Sequence, residues 1–205
     1  MLPAIAVFAK APVPGRVRTR LAVTLSAEEA ARLYEQIVSV SVQRLVEASI
    51  RLSSDVELHT DTSTDAWSGF AVTRRFQFDG DLGARMLHAL RERLDAGRPR
   101  MLILGGDVPT VPISHLEALL RVEEDVALGP AEDGGYYAIS CRKTHPEMFA
   151  GVAWSTDLGC AQTAAPCQSA GLSVAFGSPW FDIDETEDLE RVSSIYGTRR
   201  RQQSS

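Results

Sequence analysis

Residues 4–9, AIAVFA, run directly into residues 10–16, KAPVPGR. An uninterrupted apolar run of this length reads as a strand buried on both faces, the kind found inside a parallel sheet. The Pro- and Gly-rich loop follows without a spacer. In open α/β sheets ligands bind beyond the carboxyl ends of the strands, so the junction at Lys10 predicts both a fold and the rim on which its chemistry lies.

Outward from this junction the same unit recurs. Ser26 to Glu29 (SAEE) has the pattern of a capping box. Ala30, Leu33, Ile37, Val40 and Leu45 follow at helical spacing, predicting a helix to about Ser49. Asp55–Thr60 alternates like a strand, 61–69 is polar loop, and 71–78 is a further strand candidate. Asp81–Leu94 reads as a helix with Leu82, Met86, Leu87, Leu90 and Leu94 on one side, stopped by Gly97 and Pro99. Met101–Leu104 is a second buried strand leaving through GGDVP (105–109), and Ser114 to Glu117 repeats the capping-box spacing at the start of a helix. Val126–Gly129 and Tyr136–Cys141 are strands around the loop 131–135. A helix over Asp157–Ala170, broken or bent near Pro166, a strand over Leu172–Phe176 and a terminal helix over Thr186–Ile195 complete the series. The alternation predicts a three-layer α/β/α sandwich around a mostly parallel sheet. One domain over residues 1–196 and a disordered basic tail over 197–205 are expected.

Composition narrows the function classes. The 205 residues are 44% hydrophobic and 23% charged, an ordinary globular mixture. No apolar run reaches the roughly 18 residues of a membrane span. Residues 2–9 lack a preceding basic residue and make a poor signal peptide. Three cysteines without a CxxC disfavour a disulfide framework or a cysteine zinc site, so the expected compartment is the cytoplasm. The net charge is −6, yet residues 1–27 carry Lys10, Arg16, Arg18 and Arg20 and no acid, leaving −10 on the remainder. That division argues against nucleic acid as partner and for a small anion. The oligomeric state stays open, a homodimer included.

Several loops carry the candidate chemistry. Lys10, Arg16, Arg18 and Arg20 offer cations to a polyphosphate from a loop stiffened by two prolines, and Gly15 permits close backbone approach. The pattern is neither GxGxxG nor the GxxxxGK[ST] loop. Asp107 leaves a buried strand between Gly-Gly and Pro, a position suited either to a hard cation or to capping a turn. Asp182 and Asp184 point the same way if the segment is extended, although Asp184 with Glu187 also fits a helix cap. Gly134 and Gly135 expose backbone N–H groups, Asp133 can accept from a substrate hydroxyl, and alternation puts one of Tyr136 and Tyr137 in the core. Gly83 and Arg85 open a helix toward the same rim, and Ser155 and Thr156 follow Trp154 as a polar exit. The four histidines are scattered and read as surface or packing residues.

FAKAPVPGRVRTRL (8–21), DLGARM (81–86), GGDVP (105–109), GPAEDGGYY (129–137), WST (154–156) and DIDETEDL (182–189) occur in the order found in a bacterial glycosyltransferase A-like family, the selenodomain-associated transferases. The chain resembles this family over about residues 4–192. The family belongs to the nucleotide-diphospho-sugar transferase superfamily, with the molybdenum cofactor and 2-phospho-lactate guanylyltransferases as relatives. The resemblance implies a Rossmann-like sheet of glycosyltransferase A type, with nucleotide over its first half and acceptor over its second. It implies phosphate binding by Lys10, Gly15, Arg16 and Arg20, metal binding by Asp107, Asp182 and Asp184, and an acceptor-side glycine pair at Gly134 and Gly135. Gly83 and Arg85 are expected on the nucleotide side, and Asp133, Tyr136, Ser155 and Thr156 on the acceptor side. Ala84 replaces a common acid of the family, and the segment Gly159–Ser169 departs from its pattern.

Three functions stand against one another. The first is Mg²⁺- or Mn²⁺-dependent nucleotidyl transfer from an NTP to a small phosphorylated or hydroxylated acceptor, with Asp107, Lys10 and Arg16 as catalytic residues. The second is glycosyl transfer from a nucleotide-diphosphate sugar, and the third is a non-catalytic binding protein on the same fold. Three carboxylates converging on one ion would repel one another without it, so Asp107→Asn is expected to leave the metal-free fold as stable or slightly more so.

Overall fold

The computed structural model describes residues 1–19, 25–154, 156–181, 183 and 188. Among these residues seven strands form one sheet: β1 (Ala4–Ala9), β2 (Asp55–Thr60), β3 (Thr73–Phe76), β4 (Met101–Gly105), β5 (Val126–Pro130), β6 (Tyr136–Cys141) and β7 (Val174–Phe176). Their order is β3-β2-β1-β4-β6-β5-β7. All neighbours are parallel except β6, which is antiparallel to both β4 and β5. Among the described residues four helices, α1 (Ala27–Leu52), α2 (Leu82–Asp95), α3 (Ile113–Arg121) and α4 (Gly159–Ser169), cover the two faces. The predicted three-layer α/β/α architecture is the one observed. The expected terminal helix and basic tail, Asp188 apart, lie outside the described residues.

The pleat of β1 explains the layers. Ile5, Val7 and Ala9 pack with Val38, Val42 and Leu45 of α1 and Leu116 and Leu119 of α3. Ala4 and Ala6 face Met86 and Leu90 of α2 and Ala164 and Cys167 of α4. A period of two thus supplies two cores from one run, which is why the sequence shows no polar alternation there. Met101 and Ile103 against Leu102 and Leu104 repeat the arrangement in β4.

The capping box at α1 forms: Ser26 Oγ accepts from Glu29 N at 3.2 Å and Glu29 Oε2 accepts from Ser26 N at 2.8 Å. The buried stripe of α1 is centred on Tyr34, Val38 and Val42. Val40, expected inside, is 38% exposed. The second capping box does not form. Pro112, with φ near −61°, precedes a helix that begins at Ile113, so Ser114 falls within the first turn. Glu117 turns outward to Arg51 at 2.8 Å and Arg121 at 2.7 Å. Pro166 lies inside α4, which runs on to Ser169 rather than breaking there.

β2 departs from its expected half-exposed character. Its polar positions point into the core beneath α2, where Glu57 and His59 are 2% and 1% exposed. Glu57 Oε2 lies 2.8 Å from His59 Nε2 and 3.1 Å from Arg75 Nε, and Oε1 lies 3.4 Å from Arg93 Nη1. Burial pushes the Glu57 carboxyl up, but the hydrogen bond from His59 and the charges of Arg93 and Arg75 outweigh it and hold the group below its ordinary value. A carboxyl with a lowered native pKa adds stability above its unfolded pKa and loses it as pH falls through the folded value. Glu57→Gln should therefore cost about 3 kcal/mol at neutral pH. In urea unfolding the gap between wild type and variant should narrow on acidification below the carboxylate range; a gap that widens there would contradict this account.

Candidate active-site cleft

β1 and β4 lie side by side, but the chain leaves β1 toward β2 and enters β4 from the other side of the sheet. Beyond their carboxyl ends, at this switch point, opens a cleft of about 700 Å³. The loop after β1 supplies Lys10, Arg16, Val17 and Arg18, and the end of β4 and its exit supply Gly105 and Asp107. Leu82, Arg85 and Met86 come from α2. Because β6 runs antiparallel, the turn between β5 and β6 falls on the same rim and adds Ala131, Asp133, Gly135 and Tyr136. Trp154 and Thr156 face them.

The loop after β1 is held by its backbone. Lys10 N donates to Tyr34 Oη at 2.9 Å, and Ala11 N donates to Asp61 Oδ1 at 2.6 Å. Arg16 N closes a turn on Val13 O at 3.0 Å. Gly15 within it has φ +75°, and a Cβ there would meet no atom within 4 Å, so glycine serves the dihedral. Lys10 and Arg16 remain exposed. Tyr34 is 8% exposed, and burial pushes its phenol up to about 12, so it stays a neutral acceptor for Lys10.

Residues 1–27 carry no acid, yet Arg18 of this loop finds one elsewhere in the chain. Its side chain is 6% exposed, its guanidinium lies 5.7 Å from the Tyr34 ring centroid, and Nη2 sits 3.2 Å from Asp107 Oδ2. The pairing acid lies far away in sequence and only the fold delivers it. Asp107 is 35% exposed in its side chain, and its Oδ1 folds back over Gly105, where a Cβ would approach to 2.7 Å. Asp182, Asp184, Arg20 and Ser155 lie outside the described residues. Ile183, between the two aspartates, is 1% exposed and donates its N–H to Asp107 O at 3.0 Å. Among the described residues no three His, Cys, Asp or Glu side chains gather at one point.

The predicted residues divide by position. Lys10, Arg16, Arg85, Asp107, Asp133, Gly135, Tyr136 and Thr156 line the cleft; Gly15, Gly83 and Gly134 are not among its lining residues. Gly83 is buried where a Cβ would meet Phe149 at 2.9 Å and Trp154 at 3.0 Å. Gly134 has φ +87°, and its Cβ would stand 2.0 Å from Asp157 O. Its own carbonyl accepts from Cys160 N at 3.0 Å, fastening the first turn of α4 to the cleft wall. Asp133 Oδ1 accepts from Gly135 N at 2.9 Å and shapes the turn it stands on. Alternation holds for the tyrosines: Tyr137 is 3% exposed and donates to Ser178 O at 3.0 Å, while Tyr136 lies half-buried in the cleft. Of the histidines, His59 stacks on Phe8, His88 on Phe78, and His115 meets Trp180 edge-on.

Sequence reasoning missed Tyr34, Gln77, Leu82 and Trp154 as cleft residues. Tyr34 stands in an i, i+4 series with Val38 and Val42, an available signal for the core but not for its hydroxyl. Gln77, whose Nε2 donates to Ala9 O at 3.1 Å and His59 O at 3.0 Å, carries no local signal.

Residues 37–156 match a family model described as an uncharacterized protein conserved in bacteria, DUF2064. The chain belongs to that family. A solved structure from Desulfovibrio desulfuricans G20, named as a candidate nucleotide-diphospho-sugar transferase, is 33% identical with a TM-score of 0.80, covering 90% of this chain and 83% of that one. A CMP:2-keto-3-deoxy-manno-octonic acid synthetase complexed with CTP is 12% identical at TM-score 0.57, covering 97% of this chain and all of the other. Molybdopterin-guanine dinucleotide biosynthesis protein A from Archaeoglobus fulgidus is 13% identical at TM-score 0.50, covering 97% and 100%. These two distant likenesses show the fold alone, that of nucleotidyltransferases and glycosyltransferase A-like proteins. No curated protein matches the chain. Among the described residues no helix is long and apolar enough to cross a membrane.

Gly134→Ala should be among the most damaging small substitutions, since strain at positive φ adds to a backbone collision. A loss of about 2 kcal/mol or more is expected in denaturant unfolding, where Gly151→Ala, with similar φ and open space, should cost about 1 kcal/mol. Equal costs would show that the Asp157 contact is not tight.

Proposed function

We propose that the protein is a transferase acting on a nucleotide substrate, and that the group moved is a nucleotidyl group passing from an NTP to a small acceptor. The observation that carries this reading is the meeting of the cationic loop of Lys10, Arg16 and Arg18 with the Asp107 carboxylate at the switch point of the sheet. The loop backbone is already anchored, so the ordering cost of binding a polyphosphate falls on the Lys10 and Arg16 side chains alone, and Arg16 can engage two oxygens at once. In the reaction an acceptor oxygen bonds to the α-phosphorus while the bond from that phosphorus to the bridging oxygen breaks. Pyrophosphate leaves with the electron pair, and the acceptor proton passes to Asp133 or to water. Lys10 and Arg16 stabilise charge on the phosphates, and no protein nucleophile is needed.

Asp107 fits a divalent ion. Mg²⁺ takes one or two carboxylates and completes its shell with phosphate oxygens and water, and Asp107 offers a half-exposed carboxylate inside the cleft. Asp182 and Asp184 are proposed as further ligands, supported by the hydrogen bond that carries Ile183 to Asp107. When bound, the ion neutralises phosphate charge and polarises the transferring group. A second reading, glycosyl transfer from a nucleotide-diphosphate sugar, is favoured by the name given to the Desulfovibrio structure.

Pyrophosphate release with each NTP, Mg²⁺ and an acceptor panel tests the first reading, and thermal shifts with UDP-, GDP- and ADP-sugars test the second. Tighter binding of a sugar nucleotide than of the matching NTP decides for glycosyl transfer. Binding of neither at millimolar concentration would end both.

The Arg18 pair reverses one expectation from sequence. Asp107→Asn should abolish turnover and also lower the stability of the metal-free protein by about 1 kcal/mol, because the ionic contact between Asp107 and the Arg18 guanidinium is lost. Unchanged or higher stability in urea would show that the pair contributes nothing.

A further inference from the structure

Gln77 stands directly after β3, and its backbone N–H donates to Thr60 O at 2.9 Å. Its side-chain nitrogen donates to Ala9 O at 3.1 Å and His59 O at 3.0 Å. Both partners are carbonyls, which only accept, so chemistry alone fixes which end of the amide faces them. Both amide hydrogens are used there, and Oε1 faces the other way. Ala9 precedes Lys10, so this fixed acceptor sits at the root of the cationic loop.

Arg85, in the first turns of α2, lines the same cleft. Its Nε donates to Gly80 O at 2.8 Å, which sets the plane of the guanidinium and leaves Nη1 and Nη2 as the fork for a ligand. Nη1 lies 3.5 Å from Gln77 Oε1, at the outer limit of a hydrogen bond. The contact lines the two groups up without exhausting either, since the oxygen has a second lone pair and Nη1 a second hydrogen. Along this line the cleft presents one acceptor followed by two donors. Leu82, three residues before Arg85 and so on the same side of the helix, is 43% exposed and lines the cleft, an apolar surface on which a flat ring can lie.

The complement of acceptor–donor–donor is an edge that reads donor–acceptor–acceptor. Guanine has this edge in N1–H, O6 and N7, and cytosine has it in its amino group, N3 and O2. Adenine and uracil alternate, acceptor–donor–acceptor, and match only two of the three positions. We infer that Gln77 and Arg85 read the base of the nucleotide and select guanine or cytosine over adenine and uracil by this edge. The inference rests on the transferase reading and adds the base to it, which the fold and the cationic loop leave open.

The test is calorimetry on the full chain in Mg²⁺, with GTP, CTP, ATP, UTP and inorganic tripolyphosphate as probes. GTP or CTP should bind at least about tenfold more tightly than ATP and UTP, equivalent to about 1.4 kcal/mol. If GTP is preferred, 7-deaza-GTP, which lacks the N7 acceptor, should bind severalfold more weakly than GTP. If CTP is preferred, the analogue without the 4-amino group should show the same loss. Arg85→Lys and Gln77→Leu should each bring the four NTPs within about threefold of one another, while tripolyphosphate binds as in the wild type. Equal affinity of the wild type for all four NTPs, or a preference for ATP or UTP, overturns the inference and leaves the transferase reading standing. Loss of tripolyphosphate binding in Arg85→Lys, equal to the loss of NTP binding, also overturns it and makes Arg85 a phosphate ligand. If only sugar nucleotides bind, GDP-, CMP-, ADP- and UDP-sugars take the place of the NTPs with the same outcomes. If neither class binds, the transferase reading fails and this inference fails with it.

Discussion

The pairing of β1 with β4 is the contact on which the rest of the cleft depends. It sets Phe8 beside Gly105 and is completed by the bond from Gly106 N to Phe8 O at 3.0 Å. Gly106 passes so close to α1 that a Cβ there would stand 3.0 Å from Val38 and 3.2 Å from Phe8 O. Ser41 of α1 donates to Gly106 O at 3.1 Å, and Arg44 donates to Val111 O at 2.9 Å. The strand exit that carries Asp107 is thereby fixed to the helix that carries Tyr34, and Tyr34 holds the cationic loop. Charges of opposite sign are brought together by backbone contacts and buried packing, with the Arg18–Asp107 pair as the result of that arrangement.

Much of this was legible in the chain because it is written in local chemistry. An apolar run followed by a stiff loop specified the central strand and its rim, and Ser26 and Glu29 specified a helix start that formed as read. The antiparallel course of β6 was not legible, since strand direction is set by the short turn before it and by competition between neighbours. The buried Glu57–His59–Arg93 cluster was hidden for a related reason. In sequence its members look like the wet side of a strand, and only the arrival of Arg75 and Arg93 from β3 and α2 makes their burial tolerable. Ser114 and Glu117 show the opposite error, a correct capping pattern overridden by a proline two residues earlier.

In the candidate site, Lys10, Arg16, Asp107, Asp133 and Tyr136 line the cleft from at or just beyond strand ends, where the sequence pattern expected them. The glycines were harder, because one residue type answers several constraints. Gly15 serves a dihedral, Gly83 makes room for a tryptophan, and Gly134 admits a neighbouring carbonyl. Only geometry separates these from a glycine that admits a ligand. Partners were harder still: Asp107 and Arg18 are each conspicuous, but nothing in their own neighbourhoods announces that they meet.

The reversed strand has a consequence for how the two walls arise. β1 finds its partner across the whole first half of the chain, Ala4 against Met101, whereas β5 and β6 are joined by a short turn, Gly129 against Ala138. The side that carries the cationic loop is thus a product of long-range closure, slow to form and costly to alter, while the opposite wall is a hairpin that nucleates from its own turn. The hairpin in turn pairs with β4 on one side and β7 on the other, but its own turn lies outside the β1–β4 pairing. The fold thus brings to a single cleft one side assembled by long-range closure and another built on a turn that closes locally.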